Sequence, residues 1–274
     1  MNSASPSERS PSAKSAWYVR RDQSASSSVS ELLQLMGVAV GDPRLVDGIA
    51  VSTRRVRLGG VLFHEGAQAQ AVYFIAVGTF KSLHIAEDGY EQVLGFAGRG
   101  EVLGYDAVCQ GLHPTTALAL EDSTVYSLAL PDVFTLLQRV PALDRVLHLT
   151  LSRQLMHQVE IANLMAAVSA EVRLARFLVQ LSERMAERGQ SPRRLLLRMS
   201  RRDIASHIGV AHETVSRSFS VLMHLGCVAV CNREVEILDP ELLRCCASNT
   251  RGLADTHPPH TRPLPAVQMQ AAYA

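Results

Sequence analysis

The feature that most constrains this 274-residue chain is the stretch Ser200 to Gly226, SRRDIASHIGVAHETVSRSFSVLMHLG, where two short runs of helical periodicity flank one glycine. Ile204, Ala205 and Ile208 fall at spacings of one, three and four, which puts them on one helix face. Ser200, with Asp203 three residues later, has the form of a capping box and starts this helix near Arg201. Gly209 ends it, because glycine enters the left-handed conformation of a tight helix exit without steric cost. A second helix is predicted from about His212, with Val215, Phe219, Leu222 and Leu225 on one face and Glu213, Thr214, Ser216 and Arg217 on the other.

Helix, glycine turn, helix is the helix-turn-helix pattern, whose second helix enters the DNA major groove and reads bases with its N-terminal residues. The exposed side chains suit base reading, since Arg donates twice to guanine, Glu accepts from cytosine, and Ser serves a base or a phosphate. An ordinary helical hairpin with a solvated charged face would share the apolar spacing. The coincidence of turn glycine, cap and base-reading residue types favours DNA.

Charge distribution supports the same partner. The net charge is only +1, yet six arginines lie between Arg193 and Arg217 against Asp203 and Glu213, the kind of local basic patch that phosphate contact requires. Hydrophobic residues make up 47% and charged residues 19%, no run of eighteen apolar residues exists, and no export-type apolar segment opens the chain. A cytoplasmic, non-membrane protein is expected. The five cysteines, Cys109, Cys227, Cys231, Cys245 and Cys246, are expected to be reduced thiols.

The segment RMSRRDIASHIGVAHETVSRSFSVL resembles the recognition region of the Crp/Fnr superfamily of bacterial transcription regulators, most closely its Fnr and FixK branches. The resemblance implies base reading by Glu213, Ser216 and Arg217 at a palindrome of TTGAT-like half-sites. Ser200, Arg201, Arg202, His212 and Thr214 are assigned to phosphate contact or support of the reading helix. One departure is Ala211, where relatives usually carry a Thr or Ser cap; such a loss costs about 1 kcal/mol. His212 is the candidate substitute through a phosphate contact.

From Arg54 to about Leu130 the period changes to two and glycines punctuate, as in a small antiparallel roll. The order GGVLFHEG, VYFIAVGTFKSL, EDGYEQVLGF, GRGEVLGYDAV resembles the cyclic-nucleotide-binding β-roll of the same superfamily. In relatives that bind cyclic AMP, a Gly-Glu pair holds the ribose and a later Arg-Ser pair clamps the phosphate. Gly100 and Glu101 are present, but the later stretch LHPTTALAL has no arginine to neutralise a buried phosphate. Cyclic AMP is therefore not expected, and Gly100 and Glu101 are expected as turn residues. No iron-sulfur ligand set is expected either: the Fnr branch uses three closely spaced N-terminal cysteines and one from the roll, and no cysteine here precedes Cys109. Cys109 is a candidate redox switch, or a small buried apolar residue in the roll. No metal site is expected from the Cys227 and Cys231 pair, and scattered histidines lack ligand spacing. No catalytic arrangement stands out, so the chain is not expected to be an enzyme. A haem- or redox-sensing regulator, and a ligand-binding module making mainly protein contacts, remain the alternatives.

Between Pro141 and Ser169 a long helix is predicted, with Leu147, Leu151, Leu155, Gln158, Ala162 and Met165 as the seam of a two-stranded coiled coil. Packing on its own roll is the alternative. A homodimer would set two recognition helices about 34 Å apart, one DNA turn. Short helices are predicted at 31–36 and 43–50, an amphipathic helix at 171–188, and a β-hairpin wing at CVAV and EVEIL. The expected architecture is α+β: a disordered tail (1–30, eleven serines), a β-roll sensor (31–140), a dimerisation helix (141–169), a winged helix-turn-helix (170–247) and a second disordered tail (248–274). The partners implied are double-stranded DNA and RNA polymerase, the latter by family analogy at loops such as Glu87 to Tyr90.

Overall fold

The computed structural model describes residues 26–27, 29–39, 42–166 and 169–249. The predicted tails, 1–30 and 248–274, fall almost wholly outside these. Among the described residues no helix is long and apolar enough to cross a membrane.

The first half opens with β1 (Ser26–Ser27) and α1 (Val29–Leu35). It continues through β2 (Val51–Val56), β3 (Val61–Phe63), β4 (Ala71–Val77), β5 (Thr79–Ile85), β6 (Glu91–Gly98), β7 (Val102–Leu103), β8 (Thr116–Ala119) and β9 (Ser123–Ala129). These strands form two antiparallel sheets, ordered β1-β2-β9-β4-β7 and β3-β8-β5-β6. Alternation puts Val56, Leu62, Phe63, Ile75, Phe80, Ala117, Ala119 and Val125 in one shared core. The β4–β5 turn needs Gly78: its φ is +102°, and a Cβ there would lie 2.6 Å from the Ser123 Cβ.

The predicted helix at 43–50 is reduced to a 3₁₀ turn at Pro43–Val46, begun by the Asp42 cap, and the chain turns at Gly48 with φ +77°. A helix that periodicity does not separate from its successor, α2 (Leu130–Arg139), follows β9 and leads directly into the long α3 (Pro141–Met165). Val133, Leu136, Leu143 and Leu147 of these helices share a core with α1 and the outer face of the five-stranded sheet.

The second half contains α4 (Ala170–Glu187), β10 (Arg194–Leu196), α5 (Arg201–Ile208), α6 (His212–His224), β11 (Val228–Cys231), β12 (Glu234–Ile237) and α7 (Pro240–Ser248). The predicted wing is a three-stranded antiparallel sheet, β10-β12-β11, turned at Asn232, which adopts φ 54°. Leu174, Leu178, Ile204, Ile208, Val215, Phe219, Leu222 and Val235 lie in the core of this half. The terminal α7 adds to the predicted elements; Asp239 caps it through the Leu242 N–H (2.9 Å) and Pro240 opens its first turn.

Candidate nucleic-acid interface

Three local devices set the angle between α5 and α6. The capping box is complete: the Ser200 side chain accepts from the Asp203 N–H at 3.1 Å, and the Ser200 N–H donates to Asp203 Oδ2 at 2.8 Å. Gly209 closes α5 at φ +66°. Arg173 of α4 then donates to the Ile208 and Gly209 carbonyls at 3.1 and 3.0 Å, placing a cation at the negative end of α5. Gly209→Ala is therefore expected to lower stability by about 1–2 kcal/mol through the left-handed backbone alone. Urea unfolding checks this; an unchanged midpoint would contradict it.

On α6, Val215, Phe219 and Leu222 are buried while Glu213, Ser216 and Arg217 are exposed side by side on the outer face, with His212 also exposed and Thr214 half-buried. Ala211 at the N-cap makes no side-chain cap bond, so the first turn of α6 leaves backbone donors for an outside acceptor such as a phosphate. Arg202 is exposed on the neighbouring helix start.

Of the two roles expected for Arg201, phosphate contact or support of the reading helix, its packing is that of support. Its guanidinium lies 3.7 Å from the Phe219 ring centroid, Nη2 donates to the Asn232 carbonyl at 3.4 Å, and burial pushes its pKa down. It ties α5 to α6 and the wing, and is a brace inside the domain. Arg198 is likewise occupied, pairing with Glu121 of the roll at 3.2 Å. Cys109 is exposed, its thiol 3.6 Å from the Asp106 carbonyl, and Cys227 and Cys246 sit 3.7 Å apart in the domain core, where burial pushes Cys227 up to about 12. Among the described residues no group of three His, Cys, Asp or Glu could hold a metal ion.

The expected seam on α3 does not share one exposed face. Leu147 and Leu151 pack on the roll of the same chain, and Met165 against the helix-turn-helix, while Leu155, Gln158 and Ala162 face outward. A helix that is already the spine between two domains has to give those positions to its own chain. The free apolar row is Leu155, Met156 and Val159, at 70%, 61% and 62% exposure, with Ser152 and Ala162 in line.

Contacts between the two halves are not legible in the sequence. Lys81 of β5 bonds Asp203 of α5 at 2.7 Å and Glu91 at 3.2 Å. Burial opposes charge at both Lys81 and Asp203, yet their mutual bond keeps lysine raised and aspartate lowered. Ser206 donates to the Glu91 carbonyl at 2.8 Å and accepts from the Val93 N–H at 2.9 Å, so α5 covers the open edge of β6. Glu101, expected as a turn residue, is a half-buried carboxylate held by Arg184 of α4 (2.8 Å), by Arg188 just past the end of α4 (2.6 Å) and by the Gly98 N–H (2.6 Å). Burial raises its pKa, but these partners hold it below the usual range.

His207 completes this contact, edge-on to Phe96 of the roll at 5.1 Å and to Phe177 of α4 at 5.7 Å. Burial, and to a lesser degree Arg184, pull it down from 6.5 to about 4. Below pH 6.5 the unfolded chain takes up a proton that the docked ring refuses, so stability falls as pH drops from 6.5 towards 4. The expected loss from this residue is about 2–3 kcal/mol across that window. Urea unfolding at stepped pH should show the slope, and His207→Gln should flatten it; equal slopes would contradict the assignment.

Comparison with known proteins agrees with this architecture. A Crp-like helix-turn-helix domain matches residues 172–246, and a cyclic nucleotide-binding domain matches residues 53–140. The fumarate and nitrate reduction regulatory protein of Escherichia coli is 34% identical over 209 residues, covering 76% of this chain and 84% of that protein. Its Salmonella typhimurium counterpart gives the same figures. FixK2 from Bradyrhizobium japonicum has a similar structure, with TM-score 0.65 at 24% identity over 73% of this chain and 98% of that one. A CooA mutant from Carboxydothermus hydrogenoformans matches with TM-score 0.64 at 19% identity, covering 82% and 98%. With α6 presenting Glu213, Ser216 and Arg217 beneath a β-roll, the chain belongs to the Crp/Fnr family of helix-turn-helix, DNA-binding transcription regulators, and is not an enzyme.

Proposed function

We propose that this regulator acts in the cytoplasm as a homodimer that binds a palindromic TTGAT-like site and activates transcription through RNA polymerase. The observation that carries the reading is the exposed trio Glu213, Ser216 and Arg217 on one face of α6, set on a buried apolar face. Glu and Arg at that spacing offer cytosine and guanine recognition. Two-fold pairing is supported by the row of Leu155, Met156 and Val159 on α3, since a contiguous exposed apolar stripe on a helix marks a partner surface. The exposed Glu87–Asp88–Gly89–Tyr90 turn at the roll is the proposed contact for RNA polymerase.

The residues of the roll do not fit a cyclic nucleotide. The Thr116 hydroxyl accepts the Glu65 N–H at 3.0 Å in the stretch LHPTTALAL, which has no cation to meet a buried phosphate. They do not fit an iron-sulfur cluster either, since Cys109 is the only cysteine between residues 42 and 166. The function is tested by titrating the purified protein with a TTGAT palindrome and with a scrambled duplex at fixed salt. A preference of about 10³-fold or more is expected for the palindrome. Equal affinity would refute sequence-specific reading of this site.

A further inference from the structure

A cleft of about 780 Å³ lies between the roll, α3 and α4. Its walls carry five guanidiniums, Arg99, Arg153, Arg184, Arg188 and Arg198, against the three carboxylates Glu101, Glu121 and Glu187. The surplus of positive charge is concentrated where partners are fewest. Among the described residues, exposed Arg153 on α3 has no ion-pair partner, and the charged end of Arg99 donates only to the Ala76 carbonyl at 3.2 Å. Arg184 and Arg188 share the single carboxylate of Glu101. Several guanidiniums around one cavity suit bidentate binding of phosphate or carboxylate. The absence of a side chain at Gly98 also matters, because a Cβ there would lie 2.8 Å from Arg188 Nη1.

We propose that this cleft binds a small polyanion, a metabolite with two or more phosphate or carboxylate groups, held by Arg153, Arg184 and Arg188. The volume admits a molecule up to the size of a nucleotide. The bound anion competes with Glu101 for Arg184 and Arg188. Glu101 belongs to the roll, Arg184 to α4, Arg188 to the residue after it and Arg153 to α3, so the exchange replaces the Glu101 bonds by ones routed through the ligand, while the Arg184 bond to the Phe96 carbonyl (2.7 Å) remains. That exchange gives the ligand different contacts with two domain arrangements, which is the requirement for an effector. The effector role rests on the proposed DNA-binding function; the binding itself does not.

Isothermal titration calorimetry on the full chain without DNA, using pyrophosphate and citrate in separate runs, tests the site. Saturable binding of one or both is expected, and the comparison tells phosphate from carboxylate preference. Arg153→Gln removes one charge-assisted contact at an exposed position and should weaken binding by about tenfold. Glu101→Gln removes the internal competitor and should tighten it by about tenfold. Circular dichroism confirms that each variant is folded. Absence of saturable binding for both anions, or unchanged affinity in either folded variant, overturns the proposal. DNA specificity is measured apart from this, so loss of one leaves the other standing.

Discussion

Replacing Arg217 by alanine should weaken binding to the specific palindrome by about 1–3 kcal/mol for each half-site, hence about 2–6 kcal/mol for a dimer that uses the residue twice. The side chain is exposed on α6 and neither braces the domain nor caps a helix, so fold stability should change by less than about 0.5 kcal/mol. Binding to scrambled duplex should fall far less, because a base contact distinguishes sequences while a phosphate contact does not. Arg201→Ala should behave oppositely. Its guanidinium sits on Phe219 and bonds Asn232, so its loss should lower the unfolding midpoint and weaken all DNA alike. If Arg217→Ala retains parental discrimination between the palindrome and scrambled DNA, the base-reading assignment is wrong.

The second large effect concerns α3. The double variant Leu155→Glu, Val159→Glu should abolish pairing at micromolar concentration. Each apolar side chain buried at the seam contributes about 1.5–3 kcal/mol, four are lost in a dimer, and the introduced carboxylates would face one another. Both positions are more than half exposed within the chain, so the monomer should keep its circular dichroism spectrum. Sedimentation velocity distinguishes the outcomes, and a variant that still sediments as the parent would place the interface elsewhere. Leu147→Glu is the contrasting change. That residue is 2% exposed against its own roll, and the variant should unfold the domain instead of separating subunits.

The helix-turn-helix is legible in the sequence because its determinants are local. Ser200, Asp203 and Gly209 act within a few residues of one another, and the faces of α5 and α6 follow from helical spacing. The roll is legible through its period of two and its resemblance to known sequences. What sequence does not show depends on partners far along the chain. Lys81 meets Asp203 across 122 residues, and Glu101 meets Arg184 across 83. Arg201 reads as one more cation in a basic stretch, yet packing against Phe219 removes it from that footprint. Leu147 and Leu151 of the expected α3 seam pack on the chain's own roll for the same reason: spacing finds apolar rows, but tertiary packing decides which row the chain uses for itself. The Asp239, Pro240 and Glu241 start of α7 is a readable cap, hidden only by its place directly after the wing, where a winged helix can already end.

The most direct measurement is selection of bound duplexes from a random DNA pool with the purified chain. Two inverted half-sites should be enriched, their centres one helical repeat apart, with the G·C pair of each TTGAT-like half-site lost from the enriched motif when Arg217→Ala is used. Enrichment of no sequence, or of a single unpaired half-site, would contradict a paired reading helix as the basis of what this protein does.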